Sequence, residues 1–105
     1  MTEMPKTIKV GYRDYVVEEW SPRDASAADR SGECDRLNGV IRIRTDVQPQ
    51  FVAQVLWHEV LHAAYDMGDL DTSDEEKIVT VLANQTMQIF RDNPDLLAFI
   101  NGATK

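Results

Sequence analysis

The chain has two histidines, which lie four residues apart with a glutamate directly after the first. His58, Glu59 and His62 thus form the pattern H-E-x-x-H. Four residues advance an α-helix by about 400°, so two imidazoles at this spacing project from nearly the same side, one turn apart. Both rings can then reach one metal ion, and a glutamate about 100° around the helix can accept a proton from a water on that ion. The pattern predicts a hydrolytic Zn²⁺ site, with His58 and His62 as ligands and Glu59 as general base.

Two other interpretations of this pattern stay open at the level of sequence. The histidines could be ordinary polar side chains at the rim of a helix. They could also hold a zinc ion that stabilises a non-catalytic binding or adaptor module, which would need four protein ligands. Cys34 or Asp66 would be the natural fourth ligand in that case. As the lone cysteine, Cys34 cannot form an intrachain disulfide, and its residue type favours a small, buried or half-buried apolar role over that of a metal ligand.

A third ligand has to be found outside the motif, because catalytic zinc usually has three protein ligands and one position for water. The chain has no third histidine, so a carboxylate or Cys34 must serve. A second long helix follows the motif and should pack against the first, and Glu75 and Glu76 lie at its start. Glu75 lies on the apolar stripe of that helix, and Glu76 lies beside it. Both also fit helix-capping boxes, so periodicity alone does not choose between them.

The motif lies in a segment with helical periodicity. Apolar residues recur at three- and four-residue steps from Pro49 to Met67, and Gly68 follows the last turn. A second helix is predicted from about Asp74 to Asp92, and a short final helical turn over 94–100.

The first half of the chain shows strand patterns. Residues 7–10 and 15–17 read as strands, and Ser21 with Pro22 signals a short helix or irregular loop over 22–29. Asn38 and Gly39 predict a hairpin turn before a strand at 40–45. Successive residues of a strand point to opposite faces, so one face carries Ile41 and Ile43 and the other carries Val40, Arg42 and Arg44. We therefore predict an α+β fold over a single domain, 1–105, with a small antiparallel sheet or hairpin packed on two long helices.

Composition restricts the partners and the compartment. The 105 residues carry a net charge of −7, which argues against a nucleic-acid partner, since binding phosphates needs clustered Lys and Arg. No apolar run approaches the roughly 20 residues of a membrane span. The first residues lack the apolar core of a signal peptide. We therefore expect neither nucleic acid nor membrane as partner, and a cytoplasmic location.

The motif and the helix that follows it resemble the gluzincin branch of the zincins, the thermolysin-like metallopeptidases. The chain as a whole is similar to minimal zincins encoded by bacteriophages and prophages. The shared features are short opening strands, an H-E-x-L-H-A helix, a helix that begins with two glutamates, and an end at Asp92-Asn93-Pro94.

The resemblance implies a zinc metallopeptidase whose third ligand is a glutamate on the following helix. The apolar phasing after Glu76 fits the family better than the frame that starts at Glu75, so the resemblance selects Glu76. Thr80 stands where the family has an aspartate that supports a ligand histidine, and Asp66 or Asp69 could replace it.

The resemblance also implies how a substrate would bind. The edge strand before the active helix, here near 40–45, would pair with an extended peptide or protein substrate. Tyr65, one turn after His62, is a candidate for stabilising the transition state. If the protein is phage-encoded, the cytoplasm would be that of the host.

Overall fold

The computed structural model describes residues 3–68 and 75–104, without the side chains of residues 75, 79 and 104. It has four strands: β1 (Thr7–Val10), β2 (Arg13–Glu19), β3 (Gly32–Asp35) and β4 (Val40–Ile43). They form one sheet in the order β1-β2-β4-β3. The pairs β1–β2 and β3–β4 are antiparallel hairpins, whereas β2 and β4 run parallel. The α+β class is therefore confirmed, but the sheet is mixed and not antiparallel throughout.

The turn between β3 and β4 follows the predicted chemistry. Gly39 has a φ of +68°, which suits a residue without Cβ. The Asp35 carboxylate accepts hydrogen bonds from the backbone N–H of Asn38 (3.2 Å) and from its side-chain amide (2.9 Å). Ile41 and Ile43 share one face of the strand, as their alternation predicted, and both are fully buried. The strand ends at Ile43, two residues earlier than expected.

Four helices complete the fold: α1 (Pro22–Ala27), α2 (Pro49–Met67), α3 (Glu75–Asp92) and α4 (Pro94–Thr104). The bounds of α2 agree with the prediction, whereas α4 is longer than the short turn expected there. Ser21 caps α1 by accepting a hydrogen bond from the backbone of Asp24 (3.1 Å). None of the helices in the described residues is long and apolar enough to cross a membrane.

The helix α2 lies on one face of the sheet, where it contacts β1, β3 and β4 as well as α3 and α4. Its buried side chains share one apolar core with the inward-facing residues of the strands; prominent members are Ile8, Tyr15, Ile41, Ile43, Leu56 and Val60. The rings of Trp57 and Phe90 stack at 5.3 Å and join α2 to α3. Gly68 lies where the end of α2 approaches α3, and a Cβ there would collide with Val81. This glycine therefore permits close helix packing and, with a φ of −81°, is not needed for a left-handed cap.

A buried side-chain amide occupies the outer edge of β1. The backbone N–H of Lys9 donates to Asn93 Oδ1 (2.9 Å), and Asn93 Nδ2 donates to the carbonyl of Lys9 (2.8 Å). Nδ2 also donates to the carbonyl of Ile89 (2.9 Å) in α3. Asn93, between α3 and α4, thus continues the hydrogen-bond ladder of the sheet at an edge where the described residues provide no further strand. At the opposite side of the sheet, β3 is the edge strand.

Candidate functional site

The helix α2 brings the two histidines together on its exposed side. The Nε2 atoms of His58 and His62 are 3.2 Å apart, and their rings meet edge to face with centroids at 4.8 Å. Zn–N bonds of 2.0–2.1 Å at a tetrahedral angle place two ligand nitrogens about 3.3 Å apart. The two rings therefore already have the separation that a shared zinc ion requires. Without a metal, one Nε2 must donate its hydrogen to the other, so this hydrogen bond and joint ligation exclude each other.

Glu59 lies on the side of α2 that turns toward the protein, and only 7% of it is exposed. Burial raises the pKa of its carboxyl, while the nearby His62 and His58 lower it by a smaller amount. A carboxyl group whose pKa is displaced upward accepts and returns protons closer to neutral pH than a solvated one does. The predicted general base thus has a suitable environment beside the histidine pair.

A cleft of about 720 Å³ contains all three residues of the motif. It lies between α2 and β3. From α2 it is lined by the motif, Phe51 and Tyr65, and from β3 and its two flanks by Arg30, Glu33, Cys34 and Arg36. Gly32 lets β3 approach the helix, since a Cβ there would come within 2.6 Å of Val55 Cγ1. Neither Arg30 nor Arg36 could be predicted in this position from the sequence, because neither belongs to a motif.

The edge strand beside the cleft differs from the predicted one. The strand at 40–43 is β4, which pairs with β2 on one side and with β3 on the other, so it cannot add a substrate strand. The earlier arm of the hairpin, β3, has the edge position and lines the cleft. The hairpin was readable from its turn residues, but which arm lies outside depends on the pairing of β4 with β2, which is a tertiary contact.

The structure does not bring the predicted third ligand to the histidines. Glu76 is exposed in the first turn of α3 and is not among the residues that line the cleft. Within residues 3–68 and 75–104, no three side chains of His, Cys, Asp or Glu converge as a metal site. The side chain of Glu75 and all of Asp69 lie outside the described residues. Asp66, the other candidate support for a histidine, instead forms an ion pair with Arg36 at 3.0 Å. Glu76 as a ligand therefore stays a prediction.

Two further candidates lie in the cleft. Cys34 is half-buried on the inner face of β3, and burial, reinforced by the charge of Glu59, raises the pKa of its thiol to about 11. A protonated thiol is a poor metal ligand, which favours the role of a small apolar residue. Tyr65 is 48% exposed and lines the cleft about one turn after His62.

Comparisons of the chain with family models, with curated proteins and with solved structures find no match. Its function is therefore inferred from its own residues and their geometry.

Proposed function

We propose that the protein is a small zinc-dependent peptidase of the zincin type, in which His58 and His62 hold the metal and Glu59 is the general base. The observation that carries this proposal is the pair of Nε2 atoms, 3.2 Å apart, beside a buried glutamate in one cleft. An ordinary pair of surface histidines would explain neither the burial of the intervening carboxyl nor its place in the same cleft.

The chain's own residues would divide the reaction between them. A bound zinc ion supplies Lewis acidity toward a water and a peptide carbonyl. Glu59 takes the proton from the attacking water and returns it to the leaving amine, two transfers for which its raised pKa is suited. Tyr65, exposed one turn beyond His62, is the side chain we propose for donating a hydrogen bond to the developing oxyanion.

An extended peptide would bind along β3. The opposite edge of the sheet is occupied at Lys9 by the amide of Asn93, whereas β3 lies at the edge and beside the motif. Strand addition supplies affinity through the backbone, so a small protein without a deep pocket can still hold a substrate. We retain Glu76 as the proposed third ligand, although it does not line the cleft in this structure.

The metal content and the general base provide the test. Untagged protein, purified without a nickel column and offered zinc, should contain about one zinc ion per chain by elemental analysis. The double variant His58→Ala/His62→Ala should contain almost none. Glu59→Gln should keep the zinc and lower the cleavage rate of a peptide library by at least about 100-fold. Glu19→Gln, an exposed glutamate outside the cleft, is the matched control.

Each alternative gives a different result. A wild-type protein that excludes zinc would contradict the proposal and leave the histidines as ordinary helix side chains. Zinc in the wild type without hydrolysis of any peptide would indicate the adaptor module. A cytoplasmic location, the absence of a nucleic-acid partner and a phage origin stay predictions that these measurements do not address.

A further inference from the structure

The cleft contains a positive charge for which the described residues provide no ion-pair partner, although the chain as a whole carries −7. Arg30 and Arg36 lie at the two ends of β3 and both line the cleft. Arg36 is neutralised by Asp66 at 3.0 Å. The guanidinium of Arg30 has no ion pair or hydrogen bond to any side chain in the part of the chain that the structure describes. Its charge is therefore available to a bound molecule.

The backbone of Arg30, in contrast, is held firmly. The N–H of Asp29 donates to the carbonyl of Ser26, and the N–H of Arg30 donates to the carbonyl of Ala25, each at 3.0 Å. These two bonds close α1 as a Schellman motif, in which Asp29 has a φ of 55° where glycine is usual. A left-handed conformation is uncommon for a residue with a Cβ. Here it turns the chain from α1 toward β3 and fixes the position from which Arg30 reaches the cleft.

The carboxylates of the cleft do not cancel this charge. Glu33 is engaged by Arg42 at 2.6 Å, and Arg42 also lies near Asp35 and Glu18. Glu59 is buried, and Arg30 is only a minor influence on its pKa, behind burial and the two histidines. Among the described residues that line the cleft, Arg30 is therefore an exposed charge at this end of β3 without an ion-pair partner. A guanidinium binds a carboxylate through two parallel hydrogen bonds, which a lysine or an amide cannot do.

We propose that Arg30 makes the cleft selective for peptides that carry an aspartate or glutamate, by binding that carboxylate at the end of β3. The inference deepens the proposed function and rests on it. Arg30 lies two residues before β3. A peptide paired along β3 would therefore bring its side chain to Arg30 just beyond the paired segment, close to the motif on α2.

The test measures binding separately from cleavage. Fluorescently labelled peptides, identical except for Glu, Gln or Lys at one scanned position, are titrated with zinc-loaded Glu59→Gln protein, and Kd is read from anisotropy. At one position or two neighbouring positions, the Glu peptide should bind roughly two- to fivefold tighter than the Gln peptide. The preference should shrink as salt is raised, because the site is exposed.

Substitutions in the same background assign the preference to a residue. Arg30→Gln should remove the difference between Glu and Gln peptides, and Arg30→Glu should reverse it in favour of Lys. Arg23→Gln, which removes the same charge from an exposed site on α1 outside the cleft, should retain the full preference. Zinc content and circular dichroism of each variant verify that the site and fold are intact.

An equal preference in Arg30→Gln and Arg23→Gln would overturn the inference, and so would the absence of binding by every peptide. The proposed function fails in a different way. If zinc or hydrolysis is missing while the Glu preference still depends on Arg30, the cleft is an acidic-peptide site without peptidase activity. If hydrolysis depends on Glu59 but no charge preference exists, the peptidase stands and Arg30 has no part in selection.

Discussion

Replacing Asn93 by alanine removes three side-chain hydrogen bonds. Two of them join the α3–α4 junction to the N–H and the carbonyl of Lys9 in β1, and the third goes to the carbonyl of Ile89 in α3. A net 0.5–1.5 kcal/mol for each bond gives about 1.5–4.5 kcal/mol. Water can reach Lys9 at the sheet edge once the amide is gone, so we expect a loss of about 2–3 kcal/mol. That is a large part of the 5–15 kcal/mol typical of a small domain.

Urea denaturation followed by tryptophan fluorescence measures this loss. With an m-value of about 1–1.5 kcal/mol/M, the midpoint should fall by about 2 M. Asn101→Ala, an exposed asparagine on α4, is the control and should change the free energy of unfolding by less than about 0.5 kcal/mol.

Asn93→Asp keeps the size of the side chain but replaces the donating amide nitrogen by an oxygen, so it tests the direction of the hydrogen bonds. One carboxylate oxygen can still accept from the N–H of Lys9, but the other would face the carbonyl oxygens of Lys9 and Ile89 without a hydrogen to donate. The Ile89 carbonyl keeps the backbone N–H of residue 93 as a donor, whereas the Lys9 carbonyl loses its bond to the side chain. The variant should be at least as unstable as Asn93→Ala at neutral pH. It should partly recover in acid, where a protonated carboxyl again donates. A loss in Asn93→Ala no larger than in Asn101→Ala, or an Asn93→Asp protein as stable as wild type, would refute the claim that this amide continues the sheet.

Three further predictions concern the cleft and the helix contact. In metal-free protein, burial raises the pKa of Glu59 above its value in the unfolded chain. The contribution of Glu59 to the free energy of unfolding is therefore complete below the pKa of the unfolded chain, and it is lost as the pH rises through the pKa of the folded protein. Glu59→Gln should therefore be more stable than wild type near pH 8 in EDTA, with no advantage at acid pH; parallel stability–pH curves would contradict this. The Cys34 thiol, with a pKa of about 11 against the usual 9.0, should react with iodoacetamide about 100-fold more slowly at pH 8 than in unfolded protein, and equal rates would show it is not buried. Gly68→Ala should lower the free energy of unfolding, measured by urea denaturation, by about 1–3 kcal/mol because its Cβ would collide with Val81. Adding Val81→Ala should recover part of that loss, and additive losses in the double variant would refute the contact.

Most of the local structure could be predicted from the amino-acid sequence. The spacing of apolar residues and the flanking Pro49 and Gly68 predicted α2 with its observed bounds. The approach of His58 and His62 follows from the pitch of a helix, so it needs no knowledge of the rest of the fold. Turn residues predicted the hairpin at Asn38 and Gly39 for the same reason, since a short turn is determined within a few residues.

The surroundings of the H-E-x-x-H motif are formed by segments that lie far apart in the sequence. The alternation of apolar and polar residues shows which side of a strand is buried, but this pattern is the same whether the neighbouring strand runs parallel or antiparallel. Neither the parallel pairing of β2 with β4 nor the edge position of β3 could therefore be predicted from it. The cleft brings Arg30 and Glu59 together across 29 positions, and only the packing of β3 against α2 does so. Sequence alone thus determined the motif and the helix that presents it, because both are local. The tertiary structure decided the burial of Glu59, the strand that borders the cleft and the charge at its rim, because each depends on which distant segment packs there.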